Sequence, residues 1–326
     1  MHWTFWCLAA VLGLALIVLI TSFICFLMVF YSASRKVLGE DEYEIPEGDI
    51  YEVYREDMVA WTKSIRSMPH EDVEIKSYDG LTLKGQYFEY DADAPLEILF
   101  HGYRGNAERD LCGGNAERDL CGAVERAFAV RRNALIVNHR AAGPSDGHVI
   151  TFGIKERRDC LAWIDYAISK FGPEVKIVIT GISMGAATVM MAAGEDLPKN
   201  VISVLADCGY TSPKEIICKV VKDMKLPVKV FYPFIKLGAR IFGRFALEET
   251  SPIEAMSRCS VPIVFVHGDA DAFVPYDMSV RLCDACASEK KTLITISGAG
   301  HGLAYPKDPK GYVDQLNKIY DEWNIR

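Results

Sequence analysis

Positive charge is in deficit along this 326-residue chain: 36 Lys and Arg stand against 44 Asp and Glu, for a net charge of -8 and an isoelectric point near 5.5. That balance argues against broad binding to nucleic acid, whose phosphates demand clustered Lys and Arg. The sequence also lacks a disulfide framework. Ten cysteines are present, but their spacing matches no small stapled fold, and a chain this long needs no staples. Cys283 and Cys286 form a C-x-x-C without a second ligand pair, in a stretch after Pro275 that reads as helix. They are expected to be reduced packing residues and not a zinc knuckle. Neither a metal nor an organic cofactor is implied. With half its residues hydrophobic and a quarter charged, the chain has enough apolar material for one large core, and disorder is not the default reading.

Charge is missing altogether from Trp3 to Ser34, and Phe5 to Tyr31 is a run of 27 residues rich in Leu, Ile, Val, Phe and Ala. A bilayer's hydrocarbon core needs about 20 residues of helix. A cleaved signal peptide is the rival, since Ser32, Ala33 and Ser34 are small, but the run is too long for its apolar region and no Lys or Arg precedes it. Residues 1–34 are therefore expected to form an uncleaved, single-pass anchor. Trp3, Trp6 and Tyr31 stand near its ends, where aromatic residues favour the interface. Arg35 and Lys36 follow, which points to a cytoplasmic location for the domain after the anchor. Residues 35–71 read as a juxtamembrane connector, acidic before Pro46 and weakly helical from Tyr51 to Arg66.

From Val73 onward, short β-rich runs alternate with helical patterns. Val73–Tyr78 and Leu81–Phe88 flank Asp79-Gly80, a hairpin turn signal. Leu96–Phe100, Ala134–Asn138, Val175–Thr180, Val201–Ala206, Ile263–Val266 and Leu293–Ile296 are brief apolar runs that suit strands buried on both faces. Helical stretches lie between several of them, as at Lys155–Phe171, Ala186–Ala193 and Tyr276–Ala287, and Tyr312–Trp323 closes the chain. This alternation predicts an α/β fold with a doubly wound, mostly parallel sheet over residues 72–326.

Gly181-Ile182-Ser183-Met184-Gly185 is a G-x-S-x-G set between a strand and an Ala-rich helix, the context that motif requires. The glycines make room for a strained turn from which the Ser183 hydroxyl projects. Such a hydroxyl is a poor nucleophile without a base in reach and a third group to orient that base. His301, in Gly298-Ala299-Gly300-His301-Gly302 after the last strand, has the setting of the base. His267-Gly268-Asp269-Ala270-Asp271-Ala272-Phe273-Val274-Pro275 follows the strand Ile263–Val266, at a carboxyl end where open α/β sheets place their sites.

These motifs resemble those of the α/β-hydrolase superfamily, and within it the serine aminopeptidase-like and esterase-like families with an H-G-x-x-D-x-x-V-P acid loop. The resemblance runs from about Val73 to Trp323. Matching the loop residue by residue puts the family acid at Asp271, with Asp269 and Asp207 as alternatives. His101-Gly102-Tyr103-Arg104-Gly105 resembles the family's oxyanion loop. Tyr103 N–H and Met184 N–H then become the expected oxyanion donors, and His101, His139 and His267 become bracing residues.

The alternation stops between Tyr210 and Pro252, where such hydrolases carry a lid, here about residues 211–250. Phe231, Phe234 and Phe242 are its candidate substrate contacts. Thr211 to Ala246 holds eight Lys or Arg against Glu215 and Asp223, so an apolar face with a basic rim is expected to meet a hydrophobic acyl group and an anionic membrane surface. The function implied is hydrolysis of a carboxylic ester through an acyl-Ser183 intermediate. A serine aminopeptidase-like peptidase and a catalytically silent hydrolase-fold binding protein are the alternatives. One feature serves no fold: GNAERDLCG, Gly105 to Gly113, recurs as Gly114 to Gly122. Nine helical residues rotate a face by about 900°, half a turn out of phase, so the second copy is expected to loop out.

Overall fold

The computed structural model describes residues 2–32, 49–104 and 122–325. Residues 33 and 34 of the expected anchor, residues 35–48 of the connector, and all but the last residue of the tandem nine-residue repeat lie outside the described residues. Twelve helices and eight strands are described. The helices are α1 (His2–Val29), α2 (Asp49–Glu52), α3 (Arg55–Ser67), α4 (Ala123–Ala129), α5 (Glu156–Phe171), α6 (Met184–Ala193), α7 (Pro213–Asp223), α8 (Val228–Ile241), α9 (Pro252–Met256), α10 (Tyr276–Ala285), α11 (Ala304–Lys307) and α12 (Pro309–Trp323). The strands are β1 (Glu71–Lys76), β2 (Thr82–Phe88), β3 (Leu96–Phe100), β4 (Asn133–Val137), β5 (Ile177–Ile182), β6 (Val201–Asp207), β7 (Ile263–Gly268) and β8 (Lys291–Ile296).

The strands join in one sheet of order β1-β2-β4-β3-β5-β6-β7-β8. β1 and β2 form the expected antiparallel hairpin, β2 pairs antiparallel with β4, and every later pairing is parallel. Burial follows position. Every residue of β3, β4, β5 and β7 is buried, whereas edge strand β1 alternates between exposed and buried, as a strand covered on one face must. One large core cluster joins Ile98, Phe100, Ile179 and Phe265 to Trp163 and Ile164 of α5 and Val189 of α6. On the other face Val264, Val266 and Ile294 meet Tyr312, Leu316 and Tyr320 of α12.

Two segments read from sequence as accessories are built into this body. Met58 of α3, with no exposed surface, and Tyr51 of α2 belong to the cluster around α12, so the described part of the connector is domain structure. The last third of α1 does the same on the opposite side, with Cys25 and Phe26, and Phe30 just beyond the helix, buried beside Ile235 and Ala239 of α8. The first two thirds of α1 remain largely exposed and apolar, and the helix is long and apolar enough to cross a bilayer.

Candidate active site

Parallel strands of similar length deliver their following loops to one edge. The pairings Ile182↔Asp207, Asp207↔Val266 and Gly268↔Ile296 bring the loops carrying Ser183, Asp271 and His301 together there, with the loop of His101 and Tyr103 following β3 at the same edge.

Strand β5 runs two residues beyond the expected Thr180, through Gly181 to Ile182, and the chain turns at Ser183 directly into α6. Ser183 has φ 55° and ψ -112°, a conformation that an L-residue adopts only when its surroundings enforce it. The flanking glycines are part of that enforcement. A Cβ on Gly181 would collide with the backbone of Gly185, and one on Gly185 would strike the Phe100 carbonyl and, at 2.8 Å, that of His101. The Ser183 turn and the end of β3 are thus in backbone contact. Asp207 completes the clamp, its carbonyl accepting from Ser183 N–H at 2.8 Å.

The side chains form an unbroken chain of hydrogen bonds. Ser183 Oγ lies 3.0 Å from His301 Nε2, and His301 Nδ1 lies 2.6 Å from Asp271 Oδ2. Because Nδ1 faces a carboxylate it carries the ring proton, and Nε2 is left to accept from the serine hydroxyl. Asp271 is held as tightly as an acid can be. Its Oδ1 accepts from Phe273 N–H and Val274 N–H, both at 2.8 Å, and its Oδ2 accepts from His267 Nε2–H at 3.0 Å as well as from His301. Burial works against its charge, but the two imidazoles and their hydrogen bonds prevail and keep its carboxyl well below the usual range.

The alternative acids are engaged elsewhere. Asp269 Oδ1 accepts from Gly298 N–H at 2.6 Å and so fixes the start of the His301 loop. Asp207 Oδ2 accepts from Tyr312 OH at 2.9 Å, and burial pushes its carboxyl up to about 6. The other histidines brace. His267 Nδ1 accepts from Ser279 Oγ at 2.6 Å. His101 Nε2 accepts from His139 N–H at 3.0 Å, while His139 Nε2–H donates to the His101 carbonyl at the same distance. Burial, followed by the neighbouring His101, pushes His139 down to about 3, so it braces as a neutral ring. Nothing in the motif signals that Asp271 takes a second imidazole, although His267 opens the acid loop.

β3, which precedes the Tyr103 loop, is itself pinned. Glu97, without exposed surface, accepts from Arg126 at 2.5 Å, Arg132 at 3.2 Å and Thr180 at 2.6 Å. Tyr103 and Met184 share one apolar cluster with Phe152, Phe26 and Phe30, which Phe231, Phe234 and Phe242 join. Phe242, expected to meet substrate, directs its ring at α1, with centroids 4.9 Å from Phe23 and 5.9 Å from Phe26. Cys208, Asp271 and His301 also bring ligand-type atoms within 4.8 Å of one another. A cation there would have to displace the proton between His301 and Asp271, and the hydrogen bonds already account for both groups.

Comparison with known proteins supplies a family. A model described as the prolyl oligopeptidase family matches residues 151–323, a span that contains Ser183, Asp271 and His301. An uncharacterized protein of Bacillus subtilis, YqkD, is 25% identical over 193 residues, which cover 59% of this chain and 63% of that protein. The chain thus spans less than two thirds of that relative. Protein bem46 of Schizosaccharomyces pombe is 25% identical over 232 residues, 69% of this chain and 68% of that one. Among solved structures, an esterase of Pyrococcus furiosus superposes with a TM-score of 0.62 at 21% identity, covering 86% of this chain and 98% of that one. Est1E of Butyrivibrio proteoclasticus, solved with ferulic acid bound, gives 0.58 at 20%, covering 78% and 100%. At these identities the structural likeness establishes the α/β-hydrolase fold alone.

Proposed function

Since the chain belongs to the prolyl oligopeptidase family and has the fold of a serine hydrolase, we propose that it hydrolyses a carboxylic ester with a hydrophobic acyl group, using Ser183 as nucleophile, His301 as base and Asp271 as the orienting acid. The observation that carries this reading is the Ser183–His301–Asp271 hydrogen-bond chain rooted in a strained turn. Ser183 Oγ attacks the ester carbonyl while its proton passes to His301 Nε2, and Asp271 stabilises the imidazolium. The tetrahedral oxyanion is held by the N–H groups of Tyr103 and Met184, each such donor being worth ~3 kcal/mol in the transition state. His301 then protonates the departing alkoxide. Water, deprotonated by the same nitrogen, cleaves the acyl-Ser183 bond and restores the serine.

A hydrophobic acyl group is supported by the apolar cluster around Met184, and a membrane source by the cap. Met224, Val230 and Ile241 are exposed at 53%, 52% and 42%, beside exposed Lys222, Lys225, Lys229, Arg240 and Arg244. None of these five forms an ion pair among the described residues, whereas Lys214 and Lys236 pair with Glu248 and Lys219 with Asp223. Exposed apolar residues within a basic rim suit an anionic leaflet, in which α1 anchors the chain with the catalytic domain on the cytoplasmic side. Protease protection of sealed vesicles tests that orientation.

The family name favours a second reading, cleavage of a peptide bond. Fluorophosphonate labelling tests the shared chemistry: the parent should label and Ser183→Ala should not, with turnover reduced by up to ~10⁶. Labelling that survives in the variant would overturn the assignment of the nucleophile. A matched series of p-nitrophenyl esters and aminoacyl anilides then separates the two readings, higher kcat/KM on the esters being expected.

A further inference from the structure

A helix ends with carbonyl oxygens that have no partner inside it, and buried ones must find partners elsewhere. α1 has no basic residue in its last turn, yet most of the carbonyls at its end and in the turn that follows find partners. The Phe26 carbonyl accepts from Phe30 N–H and Tyr31 N–H, and the Phe30 carbonyl accepts from Ile150 N–H at 2.8 Å. Two further acceptors, in the last turn of α1, are met by one loop. Met28 O accepts from Arg104 Nη2 at 2.6 Å, and Val29 O accepts from Tyr103 OH at 2.7 Å. Arg104 also reaches Tyr31 O at 3.4 Å.

Tyr103 is the residue whose N–H is assigned to the oxyanion, so the end of α1 bonds to the loop on which catalysis depends. The contact is more than polar. The Tyr103 ring lies 5.0 Å from that of Phe152, which in turn is 5.8 Å from Phe30 just after α1. Arg104 sits at φ 58°, a left-handed conformation that a non-glycine residue adopts only at a cost, while its guanidinium bonds to the Met28 carbonyl at the end of α1. On its other side α1 is seated against α8, where a Cβ on Gly238 would come within 2.5 Å of the Ser22 carbonyl and 3.1 Å of Phe26 Cβ. The exit turn of α1 is therefore a fixed post.

We propose that this exit turn is a positioning element of the active site: the Val29 and Met28 carbonyls hold the side chains of Tyr103 and Arg104, and thereby set where the Tyr103 N–H stands relative to Ser183. The inference rests on the serine hydrolase reading above. Tyr103 and Arg104 side chains act through the backbone here and touch no reacting atom.

The test uses full-length protein in nanodiscs and two variants, Tyr103→Phe and Arg104→Ala, with a short soluble p-nitrophenyl ester. Loss of a whole oxyanion donor lowers kcat by 10²–10³, and loosening one should lower it by about tenfold in each variant. KM should change by less than about twofold and the midpoints of the pH profile should stay, because neither Ser183 nor His301 is touched. Arg104→Lys, which can still donate to Met28 O, should recover part of the loss. Amide hydrogen exchange over residues 101–104 should quicken in both primary variants by about tenfold. Unchanged exchange overturns the proposal, and so does unchanged kcat in an active parent. If Ser183→Ala keeps full turnover, the hydrolase reading fails instead, and the exchange data still decide whether α1 holds the loop.

Discussion

Replacing Asp271 by asparagine changes one oxygen to an amino group at a site where every neighbour is a donor. Phe273 N–H and Val274 N–H point at Oδ1, and His267 Nε2 and His301 Nδ1 point at Oδ2. An amide turned one way sets its NH₂ against the two backbone donors, leaving buried groups unpaired at about 1–3 kcal/mol each. Turned the other way, its NH₂ faces the imidazoles and His301 must take the opposite tautomer. Nε2 then carries the proton and presents it to Ser183 Oγ, so the base is lost. Asp271→Asn should accordingly lower kcat/KM by about 10⁴, equivalent to about 5.5 kcal/mol. Asp269→Asn is the control, because its side-chain carbonyl can still accept from Gly298 N–H, and it should cost less than about tenfold. The assay is hydrolysis of p-nitrophenyl butyrate by detergent-solubilised protein, with melting curves to confirm that each variant is folded. A folded Asp271→Asn protein within tenfold of the parent would refute the reasoning, as would equal losses in the two variants.

Three further outcomes are expected. Charge reversal at Lys222, Lys225 and Lys229 should lower turnover of an ester embedded in anionic vesicles relative to a soluble ester, and rising salt should narrow the gap between parent and variant; an unchanged ratio of the two rates would remove the membrane role of the cap. The Asp207 carboxyl titrates at about 6 in the fold against about 3.9 in the unfolded chain, so the native state increasingly disfavours its charge as pH rises from about 4 through about 6. The melting temperature of Asp207→Asn minus that of the parent should therefore grow between pH 5 and pH 8, by the equivalent of roughly 1.4 kcal/mol, and a flat difference would count against it. Deleting Gly114 to Gly122 returns a single GNAERDLCG ahead of α4 and keeps a glycine where Gly122 sits at φ 66° with Tyr305 beside it; the shortened chain should fold with equal or higher kcat and melting temperature, and its unfolding would show the second copy to be integral.

The sheet was legible because its strands are short, apolar and separated by turn signals, and each of the eight expected runs coincides with a strand. Their ends were less so. β5 was expected to stop at Thr180 but continues to Ile182, since the turn's glycines can serve as strand residues until the chain reverses at Ser183. Ser183 and His301 could be read because a glycine-flanked side chain after a strand has few other uses. Spacing alone did not separate Asp271 from Asp269, which lie two apart in one loop. What distinguishes their surroundings is a set of contacts distant in sequence, His301 for one and Gly298 for the other.

α1 shows why the remainder stayed hidden. It is apolar on every face, so no periodicity marks Ser22, Cys25, Phe26 and Phe30 as the side that the domain covers. Length does carry the information. At 1.5 Å per residue, 28 residues of helix extend roughly 42 Å, while the hydrocarbon core of a bilayer is about 30 Å thick. The surplus of about 12 Å is some eight residues, which matches the stretch from Ser22 to Val29 where burial begins and where the Met28 and Val29 carbonyls meet Arg104 and Tyr103. A tether needs only enough helix to span. On the proposed reading of α1 as an anchor, the excess is explained once the last two turns are counted as part of the hydrolase-fold domain, with Gly238 of α8 small enough to admit them and the Tyr103 loop bonded to their end.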